Sequence, residues 1–223
     1  MFLVVSFIAK IVAEVIHEIC GHGLFVLLFK GTIKTVYISI FWPYEFSYIS
    51  WSLPSGITSA QVAWIYAGGI LMCMFTSFIT QAFLLFKKKI LWHFDIALFW
   101  LAFWTFVNST GYLIIGGLTP FGDVHELIML GVLTSLFSLV IGIIIFVIGF
   151  VTLSWSLRKI LIKMFSPRRA SLGVVLFWFI IPMLVMVMLA NPERGLQLAY
   201  LPLAFIPTFI SFVIEYFLIL SQH

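Results

Sequence analysis

The sequence predicts an all-α polytopic membrane protein with about six transmembrane helices and a membrane-associated β-hairpin after the first helix. Of the 223 residues, 63% are hydrophobic and 9% are charged, whereas soluble domains contain about 45–50% and about 25%. Crossing the hydrocarbon layer takes ~20 residues. Apolar runs of about that length or longer lie near 2–29, 60–86, 94–118, 124–155, 172–190 and 198–220.

The first apolar run holds ionisable residues that packing alone does not explain. Glu14, His17, Glu18 and His22 lie in its middle, where burying charge costs several kcal/mol and usually marks a functional site. The run lacks the basic beginning and small-residue cleavage site of a signal sequence, so we expect it to stay in the mature protein. Two imidazoles beside carboxylates indicate a metal site in the membrane.

The spacing of the two histidines constrains the helix that carries them. His17 and His22 are at i and i+5, and in a straight α-helix of ~3.6 residues per turn five steps rotate by about 140°, so the imidazoles would diverge. A π-bulge absorbs one extra residue and is frequent at functional sites, and Gly21 suits that distortion. A straight helix would instead offer Glu18 and His22, at i and i+4, as ligands, with Glu14 one turn earlier.

The segment 32–51 interrupts the helical pattern. It is rich in β-branched and aromatic residues and has Pro43 at its centre, which predicts a β-hairpin at or dipping into the membrane. Its edge must be buried in protein, face water or take up a strand from a partner. The alternative is an interfacial amphipathic loop with an aromatic belt.

A second group of polar residues follows the third run. Glycines and Pro120 interrupt the apolar segment there, which a membrane tolerates only where the backbone lines a cavity or is covered by protein. We expect a broken helix that carries Asp123 as a third ligand, with His125 as its rival and a helix N-cap as the structural alternative. Asn108 is a candidate for hydrogen bonding to a substrate backbone or for an interhelical contact.

The net charge of +4 indicates orientation and not nucleic-acid binding, because the basic residues lie in short loops beside the spans. The positive-inside rule places these loops and both termini in the cytosol. Cys20 and Cys73 lie within spans and do not suggest a disulfide framework. Near the end of the last run, Glu215 is expected to snorkel. The basic loop residues are Lys87, Lys88, Lys89, Arg158, Lys159, Lys163, Arg168 and Arg169.

The order of these features resembles the site-2 protease family of intramembrane zinc metalloproteases. The resemblance rests on His17-Glu18…His22-Gly23, the β-rich segment, Ala67-Gly68-Gly69 in the second helix, and a third helix broken near Pro120 before Gly122-Asp123. It covers roughly residues 10–130. We therefore divide the chain into a metalloprotease-like transmembrane core, 1–130, and additional transmembrane helices, 131–223, in the same domain.

The resemblance implies an intramembrane zinc metallopeptidase. Zn²⁺ would be held by His17, His22 and Asp123, Glu18 would be the general base, and the β segment would present a membrane-embedded protein or peptide substrate as an added strand. The expected location is a multi-pass position in the lipid bilayer of the cell membrane. A metal-ion or proton transporter, or an inactive protease relative that binds membrane helices, is the alternative.

We expect three further residues to surround the metal or the substrate. We expect Glu14 to steady an imidazole from outside the ligand set, while an ion pair with Lys10 at i−4 is the structural alternative. His125 and Asn108 are the other candidates for supporting or substrate-binding roles.

Overall fold

The computed structural model describes residues 2–40, 46–87, 91–189 and 205–220. Pro43, Lys88 and Lys89 lie outside these ranges, as does the segment 190–204 between the last two helices. Eight α-helices, one π-helical segment and two strands make up the described part of the chain.

The first helix changes its winding at the histidines. It runs as α1 (Phe2–Val15), a π-helical segment (Ile16–Gly23) and α2 (Leu24–Leu28) without a break. The Leu24 N–H donates to the Ile19 carbonyl oxygen, five residues back, which is the hydrogen-bond pattern of a π-helix. The π-bulge expected from the histidine spacing is confirmed, and it spans the whole motif.

The β-hairpin is present as a two-stranded antiparallel sheet. β1 (Thr32–Tyr37) pairs with β2 (Tyr48–Ser52), and an irregularity between Ile33 and Thr35 shifts the register by one residue. The predicted turn around Pro43 lies outside the described residues. The strands are confirmed, whereas their position relative to the membrane stays a prediction.

Six helices make up the rest of the described chain. The first of them opens with a capping box, in which Thr58 and Gln61 exchange hydrogen bonds and satisfy free N–H groups of the first turn. The helices are α3 (Ser59–Phe86), α4 (Trp92–Leu118), α5 (Gly122–Met129), α6 (Ser135–Ile162), α7 (Pro167–Leu189) and α8 (Phe205–Leu220).

Four of these helices are long and apolar enough to cross a membrane: α3, α4, α6 and residues Pro167–Leu184 of α7. Outside these four, the first predicted span continues from α1 through the π-helical segment into α2, and α8 has 16 residues. Six spans therefore stay a prediction. The predicted run 124–155 was wrong as one helix, because residues 130–134 separate α5 from α6.

The main apolar core lies where α4 packs between its neighbours. Trp100, Phe103 and Phe106 of α4 are almost completely buried against Phe150 and Leu153 of α6. Large apolar side chains also cover the outward faces of the long helices, as expected of surfaces that face lipid. This core fixes α4, and the end of α4 in turn positions the short helix that carries Asp123.

Candidate metal centre

The side chain of Asp123 converges with those of His17 and His22, which lie about 100 residues earlier in the chain. The Nε2 atom of His17 lies 3.0 Å from Oδ2 of Asp123 and 3.1 Å from Nε2 of His22, which is 3.3 Å from the same Oδ2. The three side chains form a group that could hold a metal ion. His17 is therefore grouped with His22 and Asp123, where the straight-helix alternative would have used Glu18.

The π-helical segment makes this convergence possible. With the wider turn, both imidazoles leave the helix on the same side, and their ring centroids are 4.8 Å apart with the planes at 82°. A straight α-helix would have separated the two rings by about 140°. The extra residue in the motif is thus accommodated without loss of the histidine pair.

Each imidazole has a different partner behind it. The Nδ1–H of His22 donates to the carbonyl oxygen of Ile65 in α3 at 2.6 Å. This bond places the proton on Nδ1 and leaves the Nε2 lone pair directed at the cluster.

His17 is held more weakly on its outer side. Its Nδ1 faces Sγ of Cys73 at 3.9 Å, and the Cys73 thiol in turn donates to the Ala13 carbonyl oxygen at 3.7 Å. Tyr112 of α4 stacks on the ring with centroids 4.8 Å apart. Sulfur is a weak hydrogen-bond acceptor, so ring stacking supplies much of the orientation of His17.

Glycines allow α3 to approach the π-helical segment. A Cβ atom added at Gly21 would lie 2.5 Å from Cα of Gly69, and one added at Gly68 would lie 2.8 Å from the Gly21 carbonyl oxygen. A Cβ atom at Gly69 would lie 2.6 Å from Nε2 of His17 and 2.7 Å from Nε2 of His22. Gly68 and Gly69 therefore serve close packing, and Gly69 also keeps the space beside the imidazoles open.

The break after α4 positions the aspartate. Thr119, Pro120 and Phe121 separate α4 from α5, and Gly122 adopts a φ of +48° that favours glycine. The predicted broken helix is confirmed. Asp123 lies in the first turn of α5 and contacts His17, while Phe121 is the N-cap residue, so Asp123 is not the cap.

His125 lies outside the metal-binding group. Two residues along an α-helix rotate by about 200°, which turns His125 away from the side of α5 that carries Asp123. Among the described residues, Asp123 is therefore the third member of the group.

A cavity of about 780 Å³ opens beside the three ligand atoms. Glu18 lines it together with His17, His22 and Asp123, and Tyr48, Ile49 and Trp51 of β2 form another part of its wall. The remaining wall is largely aromatic. Phe46 meets Phe121 with ring centroids 5.9 Å apart, and Trp51 lies 6.3 Å from the His22 ring. The hairpin and the metal-binding group therefore share one cavity.

Glu14 and Asn108 lie outside both the metal-binding group and the lining of this cavity. Glu14 lies 3.9 Å from Nζ of Lys10, which is the alternative that the sequence left open, and Lys10 also donates to the Ser39 carbonyl oxygen at 2.8 Å. Oδ1 of Asn108 is buried without a hydrogen-bond partner among the described residues, and Asn108 does not line the cavity. Cys20 is exposed.

Sequence reasoning missed the roles of Ile65, Cys73 and Tyr112. Ile65 contributes its backbone carbonyl oxygen, which any residue type could provide, so the sequence does not identify this position. Tyr112 lies in a segment that the sequence did single out, eleven residues before Asp123, and an aromatic residue preceding a helix break was the one available signal.

The comparisons with known proteins add no family assignment. No family model, no curated protein and no solved structure matches this chain.

Proposed function

We propose that this chain is a zinc-dependent peptidase that hydrolyses a peptide bond of a membrane-embedded substrate. The observation that carries the proposal is the convergence of two imidazole nitrogens and one carboxylate oxygen, 3.0–3.3 Å apart, beside Glu18 in a cavity. Two nitrogens and one oxygen are the ligand set of many catalytic zinc sites, which keep a fourth position open.

The separations fit zinc on geometric grounds. In a tetrahedral site with bonds of about 2.0–2.1 Å, ligand atoms lie about 3.3 Å from one another. The three observed distances fall within a few tenths of an ångström of that value. A cation bound at this point would also take up the lone pairs of the two Nε2 atoms, which would repel each other if both imidazoles were neutral and directed them inward.

When bound, zinc would supply Lewis acidity, which acidifies water and polarises a peptide carbonyl. Glu18 follows His17 directly and lines the same cavity, so we assign it the role of general base. Its carboxylate would take one proton from water as the oxygen adds to the carbonyl carbon. It would then return that proton to the nitrogen of the leaving amine as the C–N bond breaks.

The substrate is proposed to bind as an extended chain along β2. Tyr48, Ile49 and Trp51 of β2 line the cavity, and in a two-stranded sheet each strand keeps one edge that can pair with an added strand. The aromatic wall favours an apolar segment. We further propose six spans in the cell membrane, with the hairpin at or within the bilayer and Arg168 on the cytosolic side.

The pairing of other charges favours a peptidase over a transporter. Lys10 with Glu14, Lys87 with Asp95, and Arg158 with Glu215 form ion pairs in the described part of the chain. Each pair neutralises itself, whereas a proton or ion relay requires titratable groups that pass charge from one to the next.

Two substitutions test the assignment on purified full-length protein. His17→Ala should abolish stoichiometric zinc binding, because it removes a ligand. Glu18→Gln should retain zinc, since Glu18 is not a ligand, while cleavage of a transmembrane peptide in proteoliposomes falls by about 10²–10⁴.

The opposite pattern decides against the site. Zinc lost in Glu18→Gln but kept in His17→Ala would favour the Glu18/His22 alternative. If the wild type and Glu18→Gln both bind zinc and neither cleaves any tested transmembrane peptide, the result would support an inactive protease relative.

A further inference from the structure

A second cavity, of about 500 Å³, lies between the start of α7 and the end of α8. Arg168, Arg169 and Ser171 of α7 line it together with Glu215 and Tyr216 of α8. It shares no residue with the metal centre. Its polar residues lie near one end of each helix, at the level where a spanning helix meets the headgroup region.

The cavity carries uncompensated positive charge. Glu215 is already paired with Arg158 of α6, and both side chains are buried. Arg168 and Arg169 are exposed and form no ion pair among the described residues. Two guanidinium groups are therefore available to an anion that enters the cavity.

A buried hydroxyl adds a third donor. Ser171 accepts a hydrogen bond from Nη1 of Arg158 at 3.1 Å, so its own proton is free to be donated. Ser171 is only 2% exposed, and its hydroxyl donates no hydrogen bond within the described part of the chain. Because an unsatisfied buried donor is costly, this position is suited to an oxygen acceptor from a ligand.

The rest of the cavity is apolar and continues onto the outer surface. Leu172 and Phe212 line it and are 58% and 55% exposed. A ligand that satisfies both parts needs an oxyanion for the arginines and a hydrocarbon chain for this apolar strip. Arginine is suited to phosphate because its planar fork can form two parallel hydrogen bonds.

We propose that this cavity binds an anionic phospholipid, with the headgroup phosphate between Arg168, Arg169 and Ser171 and an acyl chain along Leu172 and Phe212. Basic pockets between membrane helices bind anionic headgroups in this manner. Glu215 lines the cavity, and its partner Arg158 donates to Ser171 and so holds the hydroxyl in place. The proposal is independent of the peptidase activity.

The test measures lipid binding to the full-length protein in a neutral detergent. Native mass spectrometry would titrate phosphatidylglycerol, phosphatidylcholine and free glycerol 3-phosphate against the wild type and the double variant Arg168→Gln/Arg169→Gln. Lys163→Gln is the matched control, since Lys163 is an exposed basic residue just before α7 that does not line the cavity.

Phosphatidylglycerol should bind the wild type at least tenfold more tightly than phosphatidylcholine does. The double variant should lose about tenfold or more in affinity, at roughly 1 kcal/mol per basic residue, while Lys163→Gln stays within twofold. Equal losses in the control and the double variant would reduce the effect to general surface charge and overturn the site. Glycerol 3-phosphate binding as tightly as phosphatidylglycerol would overturn the lipid assignment in favour of a soluble phosphate ester.

Discussion

The metal centre and the Arg158–Glu215 pair both bury ionisable side chains, and they differ in how the charge is compensated. Arg158 and Glu215 carry opposite charges and contact each other directly. His17, His22 and Asp123 bring three electron-pair donors to one point, with no side-chain cation among them unless an imidazole is protonated. The first arrangement is complete by itself, whereas a cation would complete the second.

This difference separates a structural site from a candidate functional one. A buried ion pair contributes little net stability but is costly to break, because removing one partner leaves an unpaired buried charge. A convergent group of donors without a cation gains most from binding one. Substitutions in the two regions should therefore affect different measurements.

The largest effect, on the free energy of unfolding, is expected at the ion pair of Arg158 with Glu215. Arg158→Leu leaves Glu215 buried without its partner and should lower the free energy of unfolding by about 3–5 kcal/mol, measured by thermal or denaturant unfolding in detergent. The zinc content of the protein that remains folded should not change. The double variant Arg158→Leu/Glu215→Leu should recover most of the stability.

If the double variant were as unstable as Arg158→Leu, loss of the contact with Ser171, and not an unpaired Glu215, would explain the effect. A folded Arg158→Leu protein without zinc would show that the two regions are coupled.

An intermediate effect, on zinc affinity, is expected from a substitution in α3 where that helix passes beside the candidate metal centre. Gly69→Ala would place Cβ 2.6–2.7 Å from the two Nε2 atoms and should weaken zinc binding about a hundredfold, the upper end of the losses seen when groups that orient metal ligands are changed. Competition with a chromophoric chelator measures this affinity.

Gly111→Ala in α4 is the matched control, because a Cβ atom there meets nothing within 4 Å. Both substitutions favour the helix by about 1 kcal/mol, so a selective loss in Gly69→Ala belongs to the site. Equal zinc affinity in the two variants would show that α3 shifts away without disturbing the imidazoles.

The smallest effect on zinc affinity is expected at Cys73, whose contact with His17 is weaker than the hydrogen bond between His22 and the Ile65 carbonyl oxygen. Cys73→Ala removes the sulfur that faces Nδ1 of His17 and should reduce zinc affinity by about tenfold. Cys20→Ala, at an exposed position, should leave the affinity unchanged in the same chelator assay. Should the two variants agree within twofold, stacking on Tyr112 alone would account for the orientation of His17.

The sequence predicted the parts of the centre that depend on counting along the chain. The five-residue step from His17 to His22 requires a π-bulge if both bind one ion, and the glycines and Pro120 require a break before Asp123. Both follow from local backbone geometry. The choice between the bulged and the straight helix depended on which side chains Asp123 meets in the folded chain, and it meets His17 and His22.

The parts that the sequence did not predict depend on which helix faces meet. Ile65 contributes a carbonyl because α3 crosses the π-helical segment at Gly68 and Gly69, and residue type carries no information about that contact. Glu215 was expected to snorkel, which was wrong: it is buried and pairs with Arg158 of α6, which it reaches from α8 across the face of α7. A lone acidic residue near a helix end does not reveal a partner in another helix.

The π-helical segment also sets the rotation of everything that precedes it. Each residue of an α-helix adds about 100° of turn and 1.5 Å of rise, so deleting one residue between His17 and His22 would restore a four-residue spacing and swing α1 by roughly that angle. Ser6 would leave its hydrogen bond with Trp104, now 3.0 Å, and Lys10 would leave the Ser39 carbonyl oxygen. The extra residue therefore sets the angle between the face of α1 that carries Ser6 and Lys10 and the face of the π-helical segment that carries the histidines. Shortening the motif by one residue would require α1 to repack against its neighbours at the same time.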